Sequence, residues 1–292
     1  DDDPVKPSKI CLDDPTNCTR CDVFAECTTS STQVVPRTLN GSVIRYLNIT
    51  YVGDEVELQP DMFSSLTNLE EFAIHGNSKV IALRPGTFAN LRSLTRLLID
   101  QTKIISLPSS LFAPKSLLQY LTITNSELAE IPTNIFGDIP NLTHADFKFN
   151  SILHTNCSSI GEPFRKLNLL KKLNLANMSV QEECMATLGP SFFSPIELGL
   201  EILNLTAANV NGTNPSLFSK FENLKQLDIG SARGFSDCPS SAADLFWNLP
   251  QSLEVLFIRR WRSDVVVTPE CIINETSIAG LKNLTNLKYL DA

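Results

Sequence analysis

Histidine is scarce in this 292-residue chain, which has only His75, His144 and His154. Neither His75 nor His144 has a second histidine or a cysteine beside it at metal-ligand spacing, and no metal site is expected. The chain also lacks a G-x-S-x-G elbow and a phosphate-binding glycine loop, the local signs of serine-hydrolase and nucleotide chemistry. A serine, a histidine and an aspartate can be assembled on paper from almost any chain, so their presence alone points to nothing. Neither an enzyme nor a cofactor is expected. No apolar run approaches the roughly 20 residues that cross a bilayer, and the start has no basic-then-apolar leader. The chain therefore reads as processed or trimmed, with any membrane attachment left to a segment outside it. The formal charge of −8 and pI near 5.0 disfavour a general polyanion binder, and nucleic acid is not a favoured partner.

What the sequence has is a repeat. The run Leu69-Glu-Glu-Phe72-Ala-Ile74-His-Gly-Asn77 follows an L-x-x-L-x-L-x-x-N pattern that returns along the chain. Its first apolar position falls at Ile44, Leu69, Leu94, Leu118, Leu142, Leu170, Leu200, Leu224, Leu253 and Leu287, a spacing of about 24 to 34 residues that marks repeat architecture. The next two apolar positions keep phase, as in Leu47 and Ile49, Leu97 and Ile99, or Leu227 and Ile229. Such alternation marks a short strand with one buried face. The stretch before the next strand is too long for a hairpin and implies parallel stacking. On that return path a phenylalanine recurs three residues before an apolar residue, at Phe63, Phe88, Phe136, Phe164, Phe218 and Phe246, and predicts a continuous phenylalanine spine. The fold class expected is α/β, a leucine-rich repeat solenoid, curved, with a parallel sheet on its concave face and a disulfide-rich N-terminal cap. The cap takes 1–43 and the repeats 44–292, about ten copies with the last cut short inside its strand. A longer parent protein is expected from that ending. The closing asparagine of the pattern is kept only at Asn77 and Asn150; Val52, Thr102, Ser126, Met178, Ala208, Ala232 and Trp261 replace it, so most turns need other partners for their backbone groups.

Eight cysteines form two sets. Cys11, Cys18, Cys21 and Cys27 crowd the segment before the first repeat, where the open end of the core needs closing. Cys11 with Cys21 and Cys18 with Cys27 is the expected pairing among three connectivities, and the C-x-x-C of Cys18 and Cys21 leaves a zinc knuckle as the alternative. Cys157 and Cys184 occupy one phase of adjacent repeats, and Cys238 and Cys271 repeat the arrangement. Neighbouring strands lie about 4.8 Å apart, near the Cα separation a disulfide prefers, so a bridge across each pair is natural. Ten N-x-S/T sequons occur, at Asn17, Asn40, Asn48, Asn141, Asn156, Asn177, Asn204, Asn211, Asn274 and Asn283. Sequons and paired cysteines together suit an extracellular or lumenal compartment.

With repeats, spine, cap and paired loop cysteines, the chain resembles the extracellular leucine-rich domain of a Toll-like receptor over essentially its whole length. That resemblance implies innate immune recognition at the cell surface or in the endosomal lumen. It further implies a protein or microbial ligand, pairing into homo- or heterodimers, and signalling through a membrane-spanning segment absent from this chain. The other expectation is a secreted or cell-surface adhesion or matrix protein that holds another protein.

Candidate ligand contacts follow from the residues between and just after the apolar strand positions. Lys148, Lys171 and Lys172, with Phe149 beside them, form a basic cluster on adjacent strands suited to an acidic partner. Phe257, Arg259 and Arg260 next to Trp261 form a second patch of the composition found at interface hot spots. Asn48 and Asn204 lie between buried strand residues, so a sugar on either would obstruct the first and seventh rows of the face. Ligands are therefore expected on the middle rows, a lateral edge or the convex loops.

Overall fold

The computed structural model describes residues 12–14, 18–36, 39, 41–104, 107–152, 161–180, 190–208, 216–231, 246–259 and 279–291. Its strands run in chain order: β1 Leu12–Asp14, β2 Cys18–Cys21, β3 Phe24–Thr29, β4 Tyr46–Tyr51, β5 Glu55–Leu58, β6 Glu71–Leu83, β7 Arg96–Lys103 and β8 Tyr120–Thr124. They continue with β9 His144–Asp146, β10 Ser151–Ile152, β11 Lys172–Asn174, β12 Ser179–Val180, β13 Ile202–Asn204, β14 Gln226–Asp228, β15 Val255–Phe257 and β16 Tyr289–Asp291. The main sheet has the order β1-β2-β3-β4-β6-β7-β8-β9-β11-β13-β14-β15-β16, with β5 alongside β6, and β10 pairs separately with β12. From β3 onward every pairing in it is parallel, in the register the repeats prescribe: Leu47 opposite Phe72, Phe72 opposite Leu97, Leu97 opposite Leu121. The chain is a parallel leucine-rich solenoid.

Each strand buries one face. Leu47, Phe72, Leu97, Leu121, Leu173, Leu203, Leu227 and Leu256 all lie inside. The core runs unbroken from the cap to Leu284, because each repeat covers its apolar sides only against its neighbours. On the opposite side, Phe63, Phe136 and Phe164 sit in short 3-10 turns at Pro60–Phe63, Ile135–Asp138 and Glu162–Lys166, fully buried. Phe63 meets Phe88 at 5.6 Å between ring centroids, Phe88 meets Phe112 at 5.9 Å, and Phe136 meets Phe164 at 5.4 Å. The spine then recruits Phe192, Phe193 and Phe221, which the three-residue offset had not all marked. Edge-to-face and tilted contacts at these distances add about 0.5–1.5 kcal/mol per pair beyond burial.

The turns correct one expectation. Asn77, which completes the repeat pattern most fully, does not act as the turn asparagine: it is exposed, with a φ of 45°. The reason is a bulge in β6, where the register to β7 shifts between His75 and Lys79 and Asn77 leaves the ladder. Asn150 does the work instead. Its Oδ1 accepts the backbone N–H groups of Ser126 and Leu128 at 3.1 Å each, and its Nδ2 donates to the carbonyls of Ile123 and Phe147. One repeat back, Thr102 donates to Ser126 at 3.0 Å and Ser126 to the carbonyl of Thr124 at 2.6 Å, giving a buried polar line.

Later repeats use a different device. The residue between the two inward apolar residues folds its side-chain oxygen onto the backbone N–H two residues on: Asp146 to Lys148, Asn174 to Ala176, Asn204 to Thr206, Asp228 to Gly230. These are Asx turns; the Asp146 turn works beside Asn150, and from Asn174 onward the described turns close without a buried asparagine. Before the strands, side chains one residue ahead of the first leucine donate to the preceding repeat. Asn68 bonds the carbonyl of Ser42, Ser93 that of Thr67, Asn141 that of Ser116, Asn223 that of Leu198 and Asn286 that of Gln251, at 2.7 to 3.3 Å. At the same edge Gly41 has no room for a side chain, since a Cβ would overlap the carbonyl of Ser65.

Candidate functional site

The open face of the sheet carries a single continuous line of large polar side chains in its middle strands. Glu71, Arg96, Tyr120, His144 and Lys172 occupy one register position on β6, β7, β8, β9 and β11. Each lies two residues after the first leucine of its repeat, where the pleat turns the side chain away from the core. The Arg96 guanidinium lies over the Tyr120 ring at 3.9 Å from its centroid, and the His144 ring stacks on the other side at 4.3 Å. The Thr143 hydroxyl meets His144 Nδ1 at 2.8 Å and anchors the stack. Glu71 steadies Arg96 at 3.5 Å, and Lys172 at the far end is exposed and makes no ion pair among the described residues. Three strand steps of about 4.8 Å separate Arg96 from Lys172. The two cations flank a pre-stacked aromatic pair, an arrangement that spends little side-chain entropy when a partner arrives.

Two carboxylates lie just beside this line. Asp146 is raised from its ordinary range by desolvation, against the opposing hydrogen bond from the Lys148 backbone. Asp100 also feels desolvation, yet the hydrogen bonds from Thr124 at 2.6 Å and Asn125 at 3.0 Å, with His75 nearby at 3.6 Å, hold it below its ordinary value. These groups are satisfied by neighbours and offer no free catalytic pair. No group of three or more metal-ligating side chains converges among the described residues.

The expected basic cluster is reorganised by register. Lys171 faces Glu201, its Nζ 3.0 Å away, and Lys148 lies 3.9 Å from Asp146, so two of the three charges have counter-ions. Lys171 in fact belongs to an alternating row one residue before the strands, in which Lys225 also reaches Glu201 at 2.9 Å and Lys288 reaches Glu254 at 2.7 Å. Glu201 is drawn down to about 2 by its bonds from Lys225 and Lys171. Of the three lysines, only Lys172 joins the line of Arg96, Tyr120 and His144. Phe149 does not: it stands on the downstream rim, 48% exposed, at a φ of 57°.

The second patch is also knit together. Phe257 packs on Tyr289 at 5.5 Å, Arg259 lies 5.1 Å over the Phe257 ring, and the same Arg259 pairs with Asp291 at 3.0 Å. Arg260 and Trp261 lie outside the described residues.

Of the cysteines, Cys18 and Cys27 form a disulfide with Cα atoms 4.1 Å apart, joining β2 to β3. Cys18 is thereby removed from any zinc set with Cys21. The Cys11 to Cys21 pairing and the Cys157 to Cys184 and Cys238 to Cys271 bridges fall outside the described residues. So do Asn17, Asn40, Asn156, Asn211, Asn274 and His154. Among the other sequons, Asn177 and Asn283 are exposed, whereas Asn48, Asn141 and Asn204 are half-buried. Asn204 is held by its own Asx turn, its Oδ1 accepting both the backbone N–H and the hydroxyl of Thr206. Asn48 donates to Glu26 at 3.4 Å and keeps its Oδ1 buried without a partner. No described helix is long and apolar enough to cross a membrane.

The sequence hides this line because its members differ in charge and lie 24 to 28 residues apart. The signal that marks it is a shared offset, since Arg96, Tyr120, His144 and Lys172 each lie two residues after the first leucine of their repeats.

Residues 46–160 match the BspA type leucine rich repeat region in six copies. No curated protein sequence matches the chain significantly. Among solved structures, a leucine-rich repeat protein of Leptospira interrogans is similar with a TM-score of 0.61 and 19% identity, covering 91% of this chain and 65% of that one. A chain from the Toll–Spatzle complex of Drosophila, described as a molecular hub in development and innate immunity, is similar with a TM-score of 0.50 and 15% identity over 82% of this chain. This chain spans less than two thirds of either structure's length, 65% of the first and 39% of the second. These likenesses are of fold, and the fold they share with the chain is the leucine-rich repeat solenoid.

Proposed function

We propose that this chain is a non-enzymatic, extracellular recognition module of a Toll-like receptor, and that it holds an acidic segment of a protein ligand on the middle of its sheet. The observation that carries the reading is the line of Arg96, Tyr120, His144 and Lys172 on four adjacent strands. Arginine and tyrosine are over-represented where partners bind tightly, and here they are stacked on one another. The fold is shared with a chain of the Toll–Spatzle complex, which is a molecular hub in innate immunity, and the sequons support the compartment.

The test is a peptide array of acidic, neutral and basic extended sequences displayed against the folded protein. Acidic peptides are expected to bind, and Arg96→Glu and Lys172→Glu to lower that binding about tenfold or more, the equivalent of 1.4 kcal/mol. Lys171→Glu serves as the control, because Glu201 already neutralises that lysine. Equal loss in all three variants would show general charge attraction and sink the proposal.

A further inference from the structure

Six consecutive turns place a left-handed residue three positions after the middle strand residue: Gln101, Asn125, Phe149, Asn177, Ala207 and Ser231, with φ between 51° and 57°. Asparagine tolerates this conformation, but a bulky aromatic is a genuine outlier there. Phe149 is also 48% exposed, so its ring gains little from the fold in return. Its neighbour one turn along is Asn177, the acceptor position of the sequon Asn177, Met178, Ser179. The two turns repeat each other closely. Phe149 N–H donates to the Ala176 carbonyl at 2.9 Å and Asn177 N–H to the Thr206 carbonyl at 2.7 Å, and Asp146 stands opposite Asn174 in the sheet. Both side chains therefore leave the same rim about one strand spacing of 4.8 Å apart. Both are exposed.

We infer that Asn177 carries an N-linked sugar and that the Phe149 ring is the platform on which its first pyranose lies. The aromatic face is electron-rich and favours polarised hydrogens, and one face of a pyranose presents several C–H groups of that kind. The sugar covers an apolar ring that otherwise faces water. The inference rests on the extracellular reading. In the modification, Asn177 Nδ2 bonds the anomeric carbon of a lipid-diphosphate-linked oligosaccharide, which releases the lipid diphosphate while the amide loses one proton. Among the described residues the Asn177 side chain makes no hydrogen bond that fixes its amide, whereas the amide of Asn204 is held in its turn through Oδ1, which accepts from Thr206. The sugar then sits on the downstream rim and leaves the line from Arg96 to Lys172 open.

The experiment is a double-mutant cycle on the chain secreted from a glycosylating host, with sites mapped by peptide mass spectrometry. Ser179→Ala removes the sugar while keeping Asn177 in its favoured conformation, and Phe149→Leu keeps the size and backbone strain while removing the flat ring. Asn177 is expected to be modified. Ser179→Ala is expected to lower the melting midpoint by about 2 °C or more beside Phe149 and to change it little beside Leu at that position. Sugar at other sequons with Asn177 bare overturns the inference, as does an equal shift in both backgrounds. Sugar at none of the ten sequons overturns the extracellular reading first and this inference with it.

Discussion

Single residues decide where this chain departs from its own repeat. Asn150 satisfies two buried N–H groups and two carbonyls, so Asn150→Ala orphans the amides of Ser126 and Leu128 inside the turn. An unpaired buried donor costs about 1–3 kcal/mol, and urea unfolding is expected to show a loss of roughly 2–4 kcal/mol for the pair. Asn77→Gly, at the same place in the sequence pattern, is expected to stay within about 0.5 kcal/mol, because Asn77 is exposed on a bulge. Nothing in the L-x-x-L-x-L-x-x-N pattern separates these two asparagines; the difference lies in the register shift after His75. Phe149 is the opposite case, a residue legible as exposed but not as strained. Expressed without glycosylation, Phe149→Asn is expected to raise stability by about 0.5–1 kcal/mol, since a left-handed residue other than glycine or asparagine costs roughly 1–2 kcal/mol.

Between elements, the strands are tied laterally by rows that the sequence displays only when aligned by offset. Lys171, Glu201 and Lys225 are far apart in the chain and adjacent in the sheet. Glu201 is depressed from 4.5 to about 2, by its bond from Lys225 and then from Lys171. A carboxylate with a lowered folded value stabilises the fold above its unfolded value and loses that contribution as pH falls through the folded one. The wild type is therefore expected to weaken between about pH 4.5 and pH 2, and Glu201→Gln to show a shallower slope in that window when denaturant midpoints are compared at intervals through it. A steeper slope in the variant would contradict the pairing. The asparagines of the upstream edge, Asn68, Asn141, Asn223 and Asn286, were legible as a recurring Asn-Leu step. Their meaning was not, because the carbonyls they bond belong to the preceding repeat.

For the molecule as a whole, the solenoid is legible in the apolar phase of the chain, since a period kept through Leu47, Phe72, Leu97 and Leu121 can be buried only by stacking. The recognition line was less legible: its members come from strands about 24 to 28 residues apart, and only the parallel register makes Arg96, Tyr120, His144 and Lys172 neighbours. The cap is continuous with this sheet through β3, and the Cys18–Cys27 bridge ties β2 to β3. Replacing both cysteines by alanine is expected to cost about 2–3 kcal/mol, the value for a short loop. The loss should appear as faster amide exchange in β3 and β4 before β14 and β15, because a solenoid transmits stability from neighbour to neighbour.

The central claim is that the middle of the open sheet face is the recognition surface. Hydrogen exchange of the protein saturated with an acidic peptide selected from the array tests it most directly. Slowed exchange confined to β7, β8, β9 and β11 and their flanking turns, and abolished by Arg96→Glu, is the expected result. Protection centred on β14 to β16, or unchanged by Arg96→Glu, would contradict the claim.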